Sequence, residues 1–127
     1  MDRTKSIVRF DEFARQRLGG VITQPDGLFF NERKRIARLA IERRMATLGH
    51  VEELADDGFL MTFGPSGVLM IRHAASYVDK ILSGTAPGEL PVELPTKIDL
   101  VINNKTASAL GLTNSPALLI AAERVIG

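Results

Sequence analysis

His50 and His73 are the only histidines in a chain without cysteine, so metal binding or imidazole catalysis would have to use one of them. No Asp/His pair has a metal-ligand spacing such as i, i+4, and no serine lies in a G-x-S-x-G turn. Without a nucleophile–base or metal constellation, both histidines read as structural. No catalytic residue, metal or cofactor is expected, and the chain is not expected to be an enzyme. Asp26 lies in "QPDG" after the apolar "GVIT". A carboxylate at a strand end can accept a ligand's ammonium or hydroxyl, act as a phospho-acceptor, or simply suit a turn. "FGPSG", 63–67, lacks the lysine and the spacing of a phosphate loop, but Ser66 and free helix-start amides could hold a carboxylate. "NERKRIARLAIERR", 31–44, invites a nucleic-acid reading. Ile36, Leu39, Ala40 and Ile41 demand a packed face there and no aromatic interleaves the charges, so a solvated basic face is the preferred account.

The elements that must position these groups follow from pattern. The 127 residues suit one domain, and 45% hydrophobic with 24% charged residues is an ordinary globular mixture. Formal net charge is +1, with an excess of 5 positive charges over residues 1–44 and of 4 negative charges over 45–127. Halves that complement each other in the fold explain this more simply than an anionic partner. No apolar run is long enough to span a bilayer, and the N-terminus does not read as a secretory signal.

A helix is expected over 11–18, capped by Asp11 and ended by Gly19-Gly20, then a strand at "GVIT" and a turn at "QPDG". Asn31 is expected to cap a helix to Arg44, followed by a strand at "MATLG", a short helix in "HVEELADDG" and a third strand at "FLMTFG". A longer helix runs from Gly67 to about Ser83, with Val68, Ile71, Ala75, Val78 and Leu82 at helical period and Gly84 as terminator. "TAPGELPVELP" reads as an extended crossing. "KIDLVIN" alternates as a half-buried strand with Ile98, Leu100 and Ile102 inward, "NKTASALG" is a short helix, and Ser115-Pro116 opens the last one. The alternation predicts an α/β fold: a parallel sheet covered by helices on both sides, with ligands beyond the carboxyl ends of the strands. Those ends are Gln24-Pro25-Asp26, Gly49-His50 and Gly64-Pro65-Ser66.

"SYVDKILSGTAPGELPVELPTKIDLVINNKTASALGLT" resembles the C-terminal signature of a family of ABC-transporter substrate-binding proteins that includes tryptophan-type binders. "PDGLFFNERKRIARLA" and "LMTFGPS" match it in order and spacing, so the resemblance runs from about Arg9 onward. It implies part of a lobe of the type 1 periplasmic-binding fold, with the chain a single truncated α/β unit over 1–127. Residues 9–58 and 97–127 would belong to the second lobe, 59–84 to the first, and 85–96 to a hinge crossing. The implied function is a non-catalytic solute-binding component, or truncated remnant, of an ABC importer, with a small organic solute such as an amino acid as ligand and an ABC permease as partner. Cleft-facing positions by resemblance are Pro25, Asp26, Gly64 and Ser66, and Phe29 could add an apolar wall. Full-length members are periplasmic or at the cell surface; this chain, without a signal peptide, would stay cytoplasmic as written. The alternatives are a doubly wound phospho-acceptor domain using Asp26 and a nucleic-acid binder using 31–44. Self-association through an exposed face of 59–83 is expected.

Overall fold

The apolar runs after Gly19, Met45 and Leu60 become neighbouring strands in the computed structural model, which describes residues 3–127. These are β1 (Gly20–Ile22), β2 (Ala46–Gly49) and β3 (Met61–Pro65), followed by β4 (Ile98–Asn103) and β5 (Arg124–Ile126). The sheet order is β1-β2-β3-β4-β5. Three of the four pairings are parallel; β3 and β4 are antiparallel. The sheet is therefore mostly parallel, with one reversal absent from the sequence expectation. Its cause is visible in the register. Pro65 is opposite Ile98, so the chain leaves the sheet and returns to it at the same end.

The helices are α1 (Arg3–Arg15), α2 (Gly27–Asn31), α3 (Arg33–Glu42), α4 (Glu52–Asp56), α5 (Gly67–Leu82), α6 (Asn104–Leu110) and α7 (Pro116–Ala121). One main cluster joins Phe10 of α1, Ile36, Ala37, Leu39 and Ala40 of α3, Met45, Leu54 and Phe59. Thr47 and Gly49 alternate with Ala46 and Leu48 along β2, so the two sets face opposite ways. Gly49 faces Leu54 and Phe59 of the main cluster. Ala46 packs instead with Leu60, Met61 and two residues of α6, Ala107 and Leu110. Helices thus flank both sides.

Several local expectations change. Asp11 does not cap a helix: α1 starts upstream, and Asp11 accepts from Arg43 Nε at 2.9 Å. Nor does Asn31, which ends α2; the segment read as a turn plus cap is a helix opened by Asp26. Burial in β4 rises from its start to its end rather than alternating. Ile98 is 46% exposed, whereas Val101, Ile102 and Asn103 are all buried, because β3 and β5 flank that end and helices cover it. β5 is too short to carry a periodic signal and went unread.

The charge halves do meet. Arg33 donates to Asp57 at 2.6 Å and stacks on Phe30, and Lys34 lies 3.6 Å from the same carboxylate; within the first half, Arg38 pairs with Glu42. Much of the basic helix is thus neutralised within the fold. The division expected before Phe59 falls inside the sheet, since β3 is hydrogen-bonded to β2 and to β4. What does stand apart is α5, which has no buried residue.

Candidate functional site

Three strand ends converge where the sequence placed them. Pro25 follows β1, His50 follows β2, and Pro65 ends β3. With Val51, Gly67, Met70 and Ile71 they line an almost wholly apolar groove of about 450 Å³. That is the size range of small-molecule sites, about 300–1,000 Å³. β3 delivers the chain into α5 through Ser66, whose Oγ accepts from Leu69 N at 3.5 Å as the helix cap. The start of α5 therefore forms one side of the groove, and the His50-Val51 turn the other.

Gly64 and Ser66 lie just behind, in a second pocket shared with His50, Thr62 and Asp99. Its about 10 Å³ leaves room for one water at most. Two polar atoms there are buried without a hydrogen-bond partner among the described residues: His50 Nδ1 and Asp99 Oδ1, the latter 3.5 Å from Lys97 Nζ. Gly64 has a packing reason to be glycine. A Cβ there would come within 1.9 Å of the His50 carbonyl oxygen. The close approach of these two backbones builds the floor of the site.

The four sequence-predicted positions thus separate. Pro25 lines the groove. Gly64 and Ser66 support it from the adjacent pocket. Asp26 is not among the lining residues; its Oδ1 accepts from Leu28 N at 2.7 Å and caps α2. Sequence reasoning passed over His50, Val51, Met70 and Ile71 as contacts. His50 had been placed at a strand end, which was the available signal. Met70 and Ile71 carried only the signal of helix packing. Among the described residues no group of His, Asp and Glu could hold a metal ion, and no helix is long and apolar enough to cross a membrane.

A family model for ABC transporter substrate binding protein matches residues 13–126. The chain belongs to that family. Solved structures share its fold. One is a conserved domain protein from Vibrio cholerae, with a TM-score of 0.84 at 24% identity, covering 94% of this chain and 40% of its own. Another is an ABC domain from Streptococcus pneumoniae in complex with L-Trp, with a TM-score of 0.79 at 18% identity, covering 92% and 43%. A third is the ligand-free, open form of a substrate binding protein with adhesive properties from Clostridium difficile, with a TM-score of 0.73 at 15% identity, covering 99% and 42%. A comparison with curated proteins gives no match. This ABC substrate-binding family member therefore spans about two-fifths of the length of the solved structures it resembles.

Proposed function

We propose that this chain supplies one wall of a solute cleft in a non-catalytic binding component of an ABC importer working outside the cytoplasmic membrane with an ABC permease. The observation that carries the reading is the apolar groove at the carboxyl ends of β1, β2 and β3, where open α/β sheets bind ligands. Its lining selects a small organic solute with an apolar part, for which Pro25, Val51, Met70 and Ile71 provide contact. The polar end of such a solute, as in an amino acid, would meet the start of α5 at Ser66 and Gly67, beside Gly64. Asp26 is proposed as a contact reached only from the solute side, since one carboxylate oxygen is engaged in the α2 cap.

The division of the chain follows the same reading. The sheet and its helices belong to one lobe, α5 to the opposite lobe, and the segment 85–96 is a hinge crossing. Pro65 and Ile98 lie side by side, which puts both crossings at one point, as a hinge requires. Of the other readings, the phospho-acceptor finds Asp26 engaged as a cap, and the nucleic-acid reading finds its basic helix largely ion-paired.

Backbone amide NMR with L-tryptophan, L-phenylalanine and aliphatic amino acids at millimolar concentration tests the proposal. Shift changes confined to His50, Val51, Gly67, Met70 and Ile71, lost in Met70→Asp, are the expected result. No shift with any of them, or shifts clustered on α3, would reject it.

A further inference from the structure

The small pocket behind the groove contains two polar atoms, His50 Nδ1 and Asp99 Oδ1, that are buried without a hydrogen-bond partner among the described residues. Both side chains are partly exposed, but these two atoms are not. Residues of this chain already enclose them, so their surroundings do not depend on what lies across the cleft. Lys97 serves Asp99 Oδ1 poorly: its Nζ stands 3.5 Å away and makes its short bond, of 2.9 Å, to Glu123. A buried polar atom left unpaired carries its whole desolvation cost, so in native folds such atoms are met by protein or by ordered water.

Topology brings the two atoms into one pocket. β3 lies between β2 and β4, so no ladder joins the end of β2 to the start of β4. Asp99 is directly opposite Gly64, and Val101 is opposite Thr62. Residues paired in this way turn to one face of the sheet, and all four line the pocket. Gly64 adds no side chain to that face, and the His50 backbone occupies the place where its Cβ would point. Asp99 thus faces His50 across Gly64. The space between them, about 10 Å³, is about what one water needs. An apolar cavity of that size stays empty, whereas two unmet polar groups supply the partners that hold an internal water. A metal ion does not suit the place, since among the described residues no group of His, Asp and Glu could hold one.

We infer that one internal water bridges His50 Nδ1 and Asp99 Oδ1, tying the end of β2 to the start of β4 across Gly64. The ionised Asp99 can only accept, so the water donates one hydrogen to it and meets Nδ1 with the rest of its capacity. The bridge fixes the His50-Val51 turn, one side of the groove, to the point where both crossings leave the sheet. Asp99 does not line the groove and acts on it as a positioning residue. The water site stands apart from the solute reading.

Nuclear Overhauser transfer from water to the β and ring protons of His50 tests the bridge, with no solute present. A long-lived water contact is expected in the parent protein and in Asp99→Asn, which keeps an acceptor oxygen, and is expected to vanish in Asp99→Leu. The Val51 amide resonance should move in Asp99→Leu and stay in place in Asp99→Asn. Asp99→Leu and His50→Phe break the same bridge, so in urea the double variant should unfold no earlier than the weaker single one. No water contact in the parent overturns the inference, even if a variant fails to fold. So does a contact that persists in Asp99→Leu or is lost in Asp99→Asn, and so do strictly additive losses of stability. A Val51 resonance indifferent to Asp99→Leu overturns the positioning role. Failure of these tests leaves the groove reading standing, and an absence of solute shifts leaves the bridge standing.

Discussion

Gly64 and Ser66 were singled out from the sequence for the same reason, their place after a strand, but their physical roles differ. A methyl group at Gly64 meets backbone at His50, which cannot swing away as a side chain could. Gly64→Ala should lower stability by about 1–3 kcal/mol, the range for overpacking, in urea denaturation. Ser66→Ala removes only a long cap bond, at 3.5 Å, and should cost at most about 0.5 kcal/mol, the low end for caps. If the two substitutions cost the same, the close approach is not what holds this corner. The sequence could place these residues but not rank them, because the His50 carbonyl is distant in the chain. Asn103 shows the same limit. It falls on the side opposite Ile98, Leu100 and Ile102 in the expected alternation, yet it is buried, donates to the Ala55 carbonyl at 2.8 Å and accepts from Thr106 N at 3.0 Å. One side chain joins α4, β4 and the start of α6, and no local pattern announces that.

At the scale of elements, the helix ends are repetitive. α1 and α3 close with a six-to-one bond, Leu18 N to the Phe13 carbonyl and Met45 N to the Ala40 carbonyl, and with a left-handed residue just before it. α6 closes the same way at Gly111. In α1 and α3 the left-handed residue is an arginine, Arg17 and Arg44, with φ 55° and 54°. A side chain there costs about 1 kcal/mol relative to glycine. Arg44→Gly should accordingly raise stability by about 0.5–1 kcal/mol despite the extra freedom of the unfolded chain. A loss on thermal denaturation would mean that the Arg44 side chain makes a compensating contact. Glycine-marked ends were legible in the sequence, at Gly58, Gly84 and Gly111; the arginine-marked ones were not, which is why the expected end of α1 ran three residues long.

The crossing segment meets α5 through a bond from the Tyr77 hydroxyl to the Pro91 carbonyl at 2.6 Å, and Glu93 lies 3.5 Å from His73 Nδ1. Partial burial, and then the negative charge of Glu93, raise the Tyr77 phenol above its ordinary value of 10.0. The neutral phenol donates this bond and the phenolate cannot. The contact is therefore complete below the ordinary value and is lost as pH rises through the raised one. Tyr77 is the only tyrosine and there is no tryptophan, so its absorbance titration is unobstructed. The midpoint should exceed 10.0, and Glu93→Gln should bring it only part of the way back, because burial, the first of the causes, remains. A midpoint at or below 10.0 would mean that the crossing is not held against the helix.

For the whole molecule, the sequence conveyed the alternation of strands and helices, the three parallel strands and the ligand-binding end. It did not convey the antiparallel return of β4 or the addition of β5. Both depend on a register between Pro65 and Ile98 and on a three-residue strand beside Asn103, neither of which has a local signature. The resulting body is unevenly supported. Phe59 is fully buried among α3, α4 and Met45, whereas the sheet face over Ile22, Leu48 and Met61 opens into a groove of about 380 Å³, and Ile22 on the edge strand is 74% exposed. Phe59→Ala should then cost about 3–5 kcal/mol, a large share of the stability of a small domain. Ile22→Lys removes little packing and should change stability by no more than about 0.5 kcal/mol. It also places a charge on an unpaired edge, which discourages strand addition from another chain. Heating both variants beside the parent, with unfolding followed by circular dichroism and aggregation by light scattering, separates the two effects. Phe59→Ala should unfold at lower temperature. Ile22→Lys should unfold with the parent but scatter less, and earlier unfolding of Ile22→Lys would show that the open sheet face contributes to the core.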